Sequence, residues 1–406
     1  MKEVNDTLRP IVLEIMNKML KAYWGPLCKY VQSNPSLITT CPGFLLKPEK
    51  LIIYFSRSHI GLEYIGPEII NEIPVNQIIK TEVQDFTYCE CNILEKIIGF
   101  DYDSTVPLKF ELPPMNLDLL LPTHKGWEKL IELKWNIEAQ NSLMAFNAPC
   151  PSINTDRFTR IINSFFFDSD ERGLITRHIK WLDLIPLTYI DIDDDTDSMS
   201  FSLTPYADLV EHDANFCYPI PKDYKYSKLP VLNRFIELWG NSTTSEPQIT
   251  SFLAEDKHRF ILTMRFGAVE IFPQLICEWQ SNDKQALQPD FFVLNSNGYA
   301  DIVEFKLPNI KTAIVGTENR EAFSSWLNSY IAQTRVYSTY FDDSANRKWF
   351  ESKYGFKVHK PRRWLIVGRR SNFEHDEWRE IAADYRDLDI LTFDDLVDGV
   401  VAQFYK

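Results

Sequence analysis

The chain has 406 residues, of which 45 % are hydrophobic and 25 % charged, and its formal net charge is -14 at pH 7. This length and composition favour a globular protein with two domains. The acidic balance argues against a protein that coats nucleic acid indiscriminately, and no apolar run approaches the roughly 20 residues that span a bilayer. The seven cysteines form no CxxC pair, which fits reduced thiols. We therefore expect a cytoplasmic protein with no membrane partner.

The N-terminal half, residues 1–220, has the pattern of a mixed α+β domain. Apolar residues at helical spacing predict one or two amphipathic helices near the start, interrupted around Gly25 and Pro26. Strand-like runs rich in β-branched and aromatic residues follow, among them KLIIYFS, IGLEYIG and LIPLTYIDI. No motif in this half points to a chemical reaction, so we expect a sensing, regulatory or assembly domain.

A linker is predicted between this half and the rest of the chain. The segment CYPIPKDYKYSKLP, residues 217–230, is rich in proline and lysine and lacks periodicity. We place the linker at residues 221–230, which leaves a C-terminal domain at residues 231–406.

The C-terminal domain has an alternating pattern of helices and strands. Its predicted order is α-β-β-β-α-β followed by α-β-α, which indicates an α/β fold. The first helix begins after Ser245, a possible N-cap, with Glu246 in its first turn. The runs DFFVL and ADIVEFKL are joined by a turn that contains Asn297 and Gly298, and an Asn-Gly pair is a strong indication of a β-hairpin.

Two charged residues interrupt the second strand of this hairpin. Glu304 and Lys306 lie within an otherwise apolar run, where burial without a partner costs several kcal/mol. Residues at i and i+2 of a strand share one face, so these two side chains project together. Antiparallel pairing returns the chain so that Asp290, at the start of the first strand, lies beside Glu304. Asp301 precedes Glu304 by an odd number of residues and faces the other way.

Two carboxylates and an ammonium group at one end of a sheet have a chemical use. Hard oxygen ligands hold Mg²⁺, which neutralises a phosphate and lowers the pKa of bound water, and a lysine beside them can orient or deprotonate that water. Gln333 and Tyr337 on the next helix share one face and can support such a site, and Glu246 can add a carboxylate. Each also has a structural reading: a surface amide, a core tyrosine and a carboxylate that complements the helix dipole.

The region from Arg347 to Arg370 is strongly basic although the whole chain is acidic. Arg362, Arg363, Arg369 and Arg370 flank the predicted strand WLIV. We expect these four arginines to present a basic rim that binds DNA near the site, and the alternative is that they solvate a loop.

The runs PDFFVL and DIVEFK, with QTRVY downstream, resemble the PD-(D/E)xK nuclease superfamily. More narrowly, residues 231–406 resemble the nuclease domain of the Shedu antiphage-defence proteins. The resemblance implies a restriction-endonuclease-like domain with a central mixed sheet flanked by helices. It also implies a Mg²⁺-dependent DNA endonuclease, with Mn²⁺ as a substitute metal, that nicks or cuts double-stranded phage or plasmid DNA. A homo-oligomer, expected as a tetramer, is implied as well.

The resemblance also assigns roles to residues of this sequence. Asp290 and Glu304 match the metal-binding acids, with Glu246 as a further metal ligand, and Lys306 matches the catalytic lysine. Gln333 and Tyr337 match the supporting pair on the helix.

Two other functions remain open at this point. The same fold can serve as a module that binds DNA ends or DNA structures with little or no cleavage. The chain can also be an oligomeric scaffold with an unrelated α/β domain, which would bind no magnesium at Asp290 and Glu304. The complete Asp-Glu-Lys set favours the enzyme, because a protein that only binds DNA has no chemical need for all three.

Overall fold

The computed structural model describes residues 8–73, 79–103, 110–136, 143–144, 151–193, 196–218, 228–280, 284–311, 313–317, 320–373 and 376–405. The chain divides into two compact units. The first comprises Met1–Lys129, Ile137–Asp170 and Ile175–Asp223, and the second comprises Leu130–Asn136, Glu171–Leu174 and Tyr224–Lys406. Residues 219–227, most of the expected linker at 221–230, lie outside the described residues, and a helix begins at Leu229.

Helices and strands are numbered in chain order over the described residues. The helices are α1 Arg9–Met19, α2 Gly25–Ser33, α3 Gly43–Leu46, α4 Ile93–Ile98, α5 His124–Glu132, α6 Pro205–Ala214, α7 Leu229–Gly240, α8 Glu246–Ala254, α9 Phe260–Phe266, α10 Ser325–Asp342, α11 Ser344–Tyr354, α12 Glu377–Ala383 and α13 Phe393–Tyr405. The strands are β1 Lys50–Phe55, β2 His59–Ile65, β3 Lys80–Asp85, β4 Phe110–Glu111, β5 Met115–Leu117, β6 Leu119–Pro122, β7 Leu143–Met144, β8 Pro151–Ser152, β9 Thr159–Asp170, β10 Gly173–Asp193, β11 Thr196–Phe201, β12 Glu270–Pro273, β13 Phe291–Leu294, β14 Ala300–Phe305, β15 Ile314–Val315, β16 Ala322–Phe323, β17 Arg363–Ile366 and β18 Leu388–Leu391.

The first helical segment does not break where the sequence predicts an interruption. A π-helical turn, Leu20–Trp24, connects α1 directly to α2. The backbone N–H of Gly25 bonds to the carbonyl oxygen of Leu20, five residues back. A Cβ atom at position 25 would lie 2.7 Å from that oxygen, so glycine allows the wider turn. Pro26 then occupies the first turn of α2, where its missing N–H costs nothing.

The first unit contains a nine-stranded mixed sheet with the order β3-β1-β2-β10-β9-β6-β7, in which β11 pairs with β10 and β5 with β9. Alternate residues of β1 enter two different cores: Ile53 and Phe55 join one cluster, and Ile52 and Tyr54 join the other. The sheet is therefore covered on both faces, which explains why its central strands are continuously apolar in the sequence.

Arg160 is the largest charged group in the core of the first unit, and its side chain is fully buried. Its guanidinium group bonds to Asp183 at 2.6 Å and to Asp213 at 2.8 Å, and both carboxylates are also fully buried. The hydroxyl groups of Tyr23 and Tyr206 donate to these same two carboxylates. The cluster satisfies its own charges, as buried ions require.

The second unit contains a five-stranded sheet with the order β12-β13-β14-β17-β18. The strands from β12 to β14 are antiparallel, and β14, β17 and β18 are parallel. This mixed sheet with helices confirms the α/β class. The structure adds α7 and α9 before the sheet, the hairpin of β15 and β16 before α10, and α11 within the basic stretch. Apart from α7, these additions are short or strongly polar segments, whose periodicity is weak.

Helix α10 covers one face of this sheet. Ile302 of β14 belongs to a core cluster with Tyr337 of α10, and Leu365 of β17 belongs to a cluster with Leu327 of α10. On the opposite face, the ring of Phe305 packs against other aromatic rings. Along β14 the even-numbered residues therefore point towards α10. In the described part of the chain, no helix is long and apolar enough to cross a membrane.

Candidate functional site

The hairpin of β13 and β14 brings Asp290 beside Glu304. Phe291 pairs with Val303 across the two antiparallel strands, so the residue before Phe291 lies next to the residue after Val303. Gly298 closes the turn with φ of 80°, a backbone conformation that favours glycine. The carboxylate of Asp290 accepts a 2.8 Å hydrogen bond from the backbone N–H of Phe305 through Oδ2, which fixes its position at the end of β14.

Glu304 and Lys306 are buried charges that neutralise each other. Their relative exposures are 3 % and 7 %. The ammonium group of Lys306 donates to Oε1 of Glu304 at 2.8 Å and to Oε1 of Glu246 at 3.1 Å. The backbone of Lys306 is held as well, because its N–H bonds to the carbonyl oxygen of Ile366 in β17. These contacts offset the free-energy cost of removing the charges of Glu304 and Lys306 from water in an otherwise apolar strand.

Helix α10 supplies two polar groups to the same cluster. The side-chain amide of Gln333 donates to Oε1 of Glu304 at 2.7 Å, and it lies 2.9 Å from the hydroxyl oxygen of Tyr337. Tyr337 is buried, with a relative exposure of 5 %, so its ring anchors the hydroxyl group in the core. The i, i+4 spacing therefore places both residues against Glu304.

Glu246 reaches the cluster from the first position of α8. The backbone N–H of Ser245 bonds to the side chain of Gln248 at 2.8 Å, and the two residues form a capping box. This cap fixes the start of the helix and therefore the direction of the next side chain, Glu246. Its carboxylate remains about one-third exposed and contacts Lys306. In the sequence Glu246 is expected as a metal ligand, and its pairing with Lys306 is not predicted.

Burial and mutual repulsion shift the pKa values of the acids in the cluster. Burial and the neighbouring carboxylate of Glu304 raise the pKa of Asp290 to about 7. Burial also raises the pKa of Glu304, although Lys306 opposes this effect. Burial alone would lower the pKa of Lys306, but Glu304 and Glu246 outweigh it and raise the pKa. The ammonium group of Lys306 is therefore protonated at neutral pH and acts as a hydrogen-bond donor.

Asp290 and Glu304 are the residues best placed to hold a metal ion. The second carboxylate oxygen of Glu304, Oε2, is buried and has no hydrogen-bond partner in the structure. Within the described residues, no group of three His, Cys, Asp or Glu side chains is arranged to hold a metal. Glu246 accordingly binds Lys306 and does not complete a three-carboxylate set with the other two acids.

Asp301 lies outside the cluster, as its odd spacing from Glu304 predicts. Its carboxylate accepts hydrogen bonds from the backbone N–H of Arg362 at 2.8 Å and from the side chain of Asn295 at 3.0 Å. These contacts join the hairpin to the start of β17.

The four arginines of the expected basic rim are divided between the two ends of β17. Arg362 and Arg363 stand at its start, whereas Arg369 and Arg370 follow its end, near the end of β14 that carries Lys306. Because β14 and β17 are parallel, the second pair lies at the same edge of the sheet as Lys306 and the first pair lies at the opposite edge. The arginines therefore do not form one continuous basic rim.

Three of these arginines already pair with carboxylates. Arg362 binds Asp389, Arg369 binds Asp394 and Glu132, and Arg370 binds Asp395 and Asp398. Arg363 donates to Thr334 and to the carbonyl oxygen of Arg386. Internal neutralisation of this kind reduces the charge that each group offers to a phosphate, and DNA binding by these arginines stays a prediction.

One neighbour of the cluster was missed in the sequence. The ring centroid of Tyr330 lies 5.4 Å from Nζ of Lys306. Tyr330 precedes Gln333 by three residues, so the helical periodicity that links Gln333 to Tyr337 could also have found it.

One comparison with known proteins finds a family for the segment that contains this cluster. Residues 243–397 match the family model described as Shedu protein SduA, C-terminal. The matched segment contains every site residue discussed above, from Glu246 to Arg370, and it confirms the resemblance noted in the sequence. No curated protein matches the chain. Residues 243–397 of this chain are therefore similar to the C-terminal family of the Shedu protein SduA.

Proposed function

We propose that the second unit hydrolyses DNA phosphodiester bonds as a Mg²⁺-dependent endonuclease of the PD-(D/E)xK type. The family match implies a role in antiphage defence. The observation that carries the proposal is the convergence of Asp290, Glu304 and Lys306 at one end of the hairpin, with the ammonium group 2.8 Å from Glu304. An acid pair beside a buried lysine is the donor set that phosphodiester hydrolysis needs.

The chemistry of the two carboxylates fits Mg²⁺. Asp290 and Glu304 offer hard oxygen atoms, and Oε2 of Glu304 is buried without a partner. Mg²⁺ is commonly held by one or two carboxylates together with water and substrate phosphate, so a third protein ligand is not required. When bound, the ion would neutralise phosphate charge and lower the pKa of a water molecule. Mn²⁺ prefers similar oxygen ligands and is expected to substitute.

The remaining residues of the cluster have distinct tasks in this proposal. Lys306 keeps its proton because Glu304 and Glu246 raise its pKa, so it orients the attacking water or donates to a phosphate oxygen. Gln333 holds Glu304 through its amide, and Tyr337 holds Gln333. This scaffold fixes the carboxylate in the geometry that the reaction requires.

The proposal extends to the biological setting. The substrate is double-stranded phage or plasmid DNA, and the protein acts in the cytoplasm as a homo-oligomer, expected as a tetramer. An active nuclease endangers host DNA, so we expect the first unit to restrain or direct the second. The net charge of -14 supports such control, because an acidic surface repels DNA until a partner or a DNA end overcomes the repulsion.

The direct test uses purified full-length protein with supercoiled and linear DNA, in Mg²⁺ or in EDTA. We expect the wild-type protein to nick or cut DNA in Mg²⁺ and not in EDTA. Lys306→Ala is expected to abolish this cleavage while DNA binding remains. The matched control is Lys353→Ala, because Lys353 also forms an ion pair, with Glu278 at 3.2 Å, but lies outside the cluster. Cleavage by Lys306→Ala at the wild-type rate would refute the assigned role.

The same test separates the enzyme from the alternative functions. Metal-independent DNA binding without any cleavage by the wild-type protein would favour a module that recognises DNA ends or structures. Neither binding nor cleavage would favour a scaffold.

A further inference from the structure

Helix α10 presents aromatic side chains beside Lys306 in line with its two polar site residues. Trp326, Tyr330, Gln333 and Tyr337 are spaced i, i+4, i+7 and i+11. At 3.6 residues per turn, these positions fall within about 60° around the helix axis. The four side chains therefore form one stripe, aromatic at the N-terminal end and joined to Glu304 at the other.

The aromatic end of this stripe, Trp326 and Tyr330, lies apart from the buried residues that pack the same part of α10 into the core. Leu327, Ile331 and Thr334 are buried, with relative exposures between 0 % and 6 %, and they lie about 100° further around the helix. Trp326 and Tyr330 are only half-buried and contact the edge of the core cluster. Packing of α10 therefore leaves part of each ring accessible.

The aromatic end of the stripe adjoins the charged cluster at Lys306. The ring of Tyr330 lies 5.4 Å from Nζ of Lys306. The ring centroids of Tyr330 and Trp326 are 5.6 Å apart and their planes are inclined at 63°. Trp326 precedes Gln333 by seven residues, a rise of about 10 Å along the helix, which equals about three stacked nucleotides at roughly 3.4 Å each.

We propose that Trp326 and Tyr330 form a stacking platform for an unpaired base of the DNA strand whose phosphate occupies the Asp290, Glu304 and Lys306 cluster. This inference rests on the proposed function and narrows its substrate class. A phosphate at Lys306 places the adjoining nucleotide within reach of the Tyr330 ring. Aromatic rings beside a cationic site are the means by which proteins hold single strands without reading their sequence.

The platform implies a preference among DNA substrates. Bases inside a duplex are stacked on one another, so the rings find a base only where the strand is frayed, single-stranded or distorted. Frayed ends and flaps should therefore bind more tightly than a duplex without ends. Trp326 and Tyr330 are positioning residues in this scheme, because they orient the strand and do not touch the reacting atoms.

The test measures binding by the full-length protein in EDTA, where the proposed cleavage cannot occur. Fluorescence anisotropy compares a labelled oligothymidine with a labelled duplex whose ends are closed by hairpin loops. The variants Trp326→Leu and Tyr330→Leu keep an apolar side chain but lose the aromatic face, and Trp326→Phe and Tyr330→Phe restore a ring. Tyr299→Leu is the matched control, since Tyr299 is 41 % exposed at the opposite end of β14.

Each leucine variant is expected to weaken oligothymidine binding by about tenfold, within the range known for base stacking, while duplex binding changes by less than about twofold. The phenylalanine variants and Tyr299→Leu should bind like the wild type. Unchanged oligothymidine binding by both leucine variants, or equal losses on both DNAs, would overturn the platform and leave the proposed hydrolysis standing. Wild-type protein that binds neither DNA would also overturn the platform, whereas the proposed hydrolysis is decided separately by cleavage in Mg²⁺.

Discussion

Asp290→Asn tests whether the site is electrostatically costly in the absence of a cation. The substitution removes the charge of one carboxylate but retains a carbonyl oxygen that can accept the hydrogen bond from Phe305, which measures 2.8 Å in the wild-type protein. Asparagine also has nearly the same volume as aspartate, so packing should change little. We therefore expect the variant to be more stable than the wild type at pH 8, although it loses the proposed activity.

The magnitude follows from the pKa of Asp290. Burial, followed by the charge of Glu304, raises this pKa from 3.8 to about 7. The folded state thus binds the proton more tightly than the unfolded chain, so the stabilising contribution is present below about pH 4 and is lost as the pH rises through about 7. At about 1.4 kcal/mol per pKa unit, the difference corresponds to at most about 4 kcal/mol. Screening by solvent at this partly buried group reduces the expected gain to about 2 kcal/mol.

Hydrogen exchange of the β13 and β14 amides measures this effect, because it reports the opening free energy of one region within a chain of two units. Wild-type and variant proteins are compared in EDTA at pH 8, where Asp290 is ionised, and at pH 5, where it is protonated. We expect greater protection of the variant at pH 8 and a clearly smaller difference at pH 5, where only part of the wild-type contribution is lost. Mg²⁺ should increase protection of the wild type at pH 8 and have little effect on the variant.

Asp301→Asn is the matched control, because Asp301 lies on the same strand but outside the cluster and already accepts two hydrogen bonds. It should gain no protection at either pH. Equal or lower protection of Asp290→Asn than of the wild type at pH 8 would refute the view that the two carboxylates oppose each other.

Two further substitutions probe the site and the core of the first unit. Gln333→Ala removes the amide that bonds to Glu304 at 2.7 Å. Single-turnover nicking in Mg²⁺ should slow by about tenfold, because a hydrogen bond to a charged group contributes about 1.5 kcal/mol. An unchanged rate would show that the amide does not support the carboxylate. Arg160→Met leaves Asp183 and Asp213 buried without their cationic partner. Urea unfolding of the first unit should show that the free energy of unfolding falls by about 3–5 kcal/mol. A decrease below about 1 kcal/mol would contradict the assigned role.

The parts of the fold that the sequence predicts are those that depend on neighbouring residues. The Asn297–Gly298 turn and the alternation along β14 predict the hairpin, its register and the proximity of Asp290 to Glu304, because both constraints act within about 15 residues. The Gln333 and Tyr337 pair follows from helical spacing in the same way. The continuity of α1 and α2 was not predicted, since the π-helical turn depends on one backbone contact of Gly25.

Contacts between distant residues required the tertiary structure. Glu246 lies 60 residues from Lys306, and only the position of α8 reveals their ion pair. The carboxylate partners of the arginines around β17 are likewise distant in sequence. The segment Leu130–Asn136 belongs to the second unit, where Trp135 bonds to Glu237, and no sequence pattern indicates this exchange between the two halves.

The sequence by itself determined which residues are candidates for the chemistry, because an aspartate, a glutamate and a lysine in a hairpin pattern restrict both the ligands and the local geometry. Only the tertiary structure decided the protonation states of those groups and which of their atoms lack a hydrogen-bond partner. Burial sets the cost of each ion, and the partners that offset this cost come from elements far apart in the chain. The pKa of Asp290, the oxygen of Glu304 without a hydrogen-bond partner and the partial burial of Tyr330 are therefore properties of the folded protein alone.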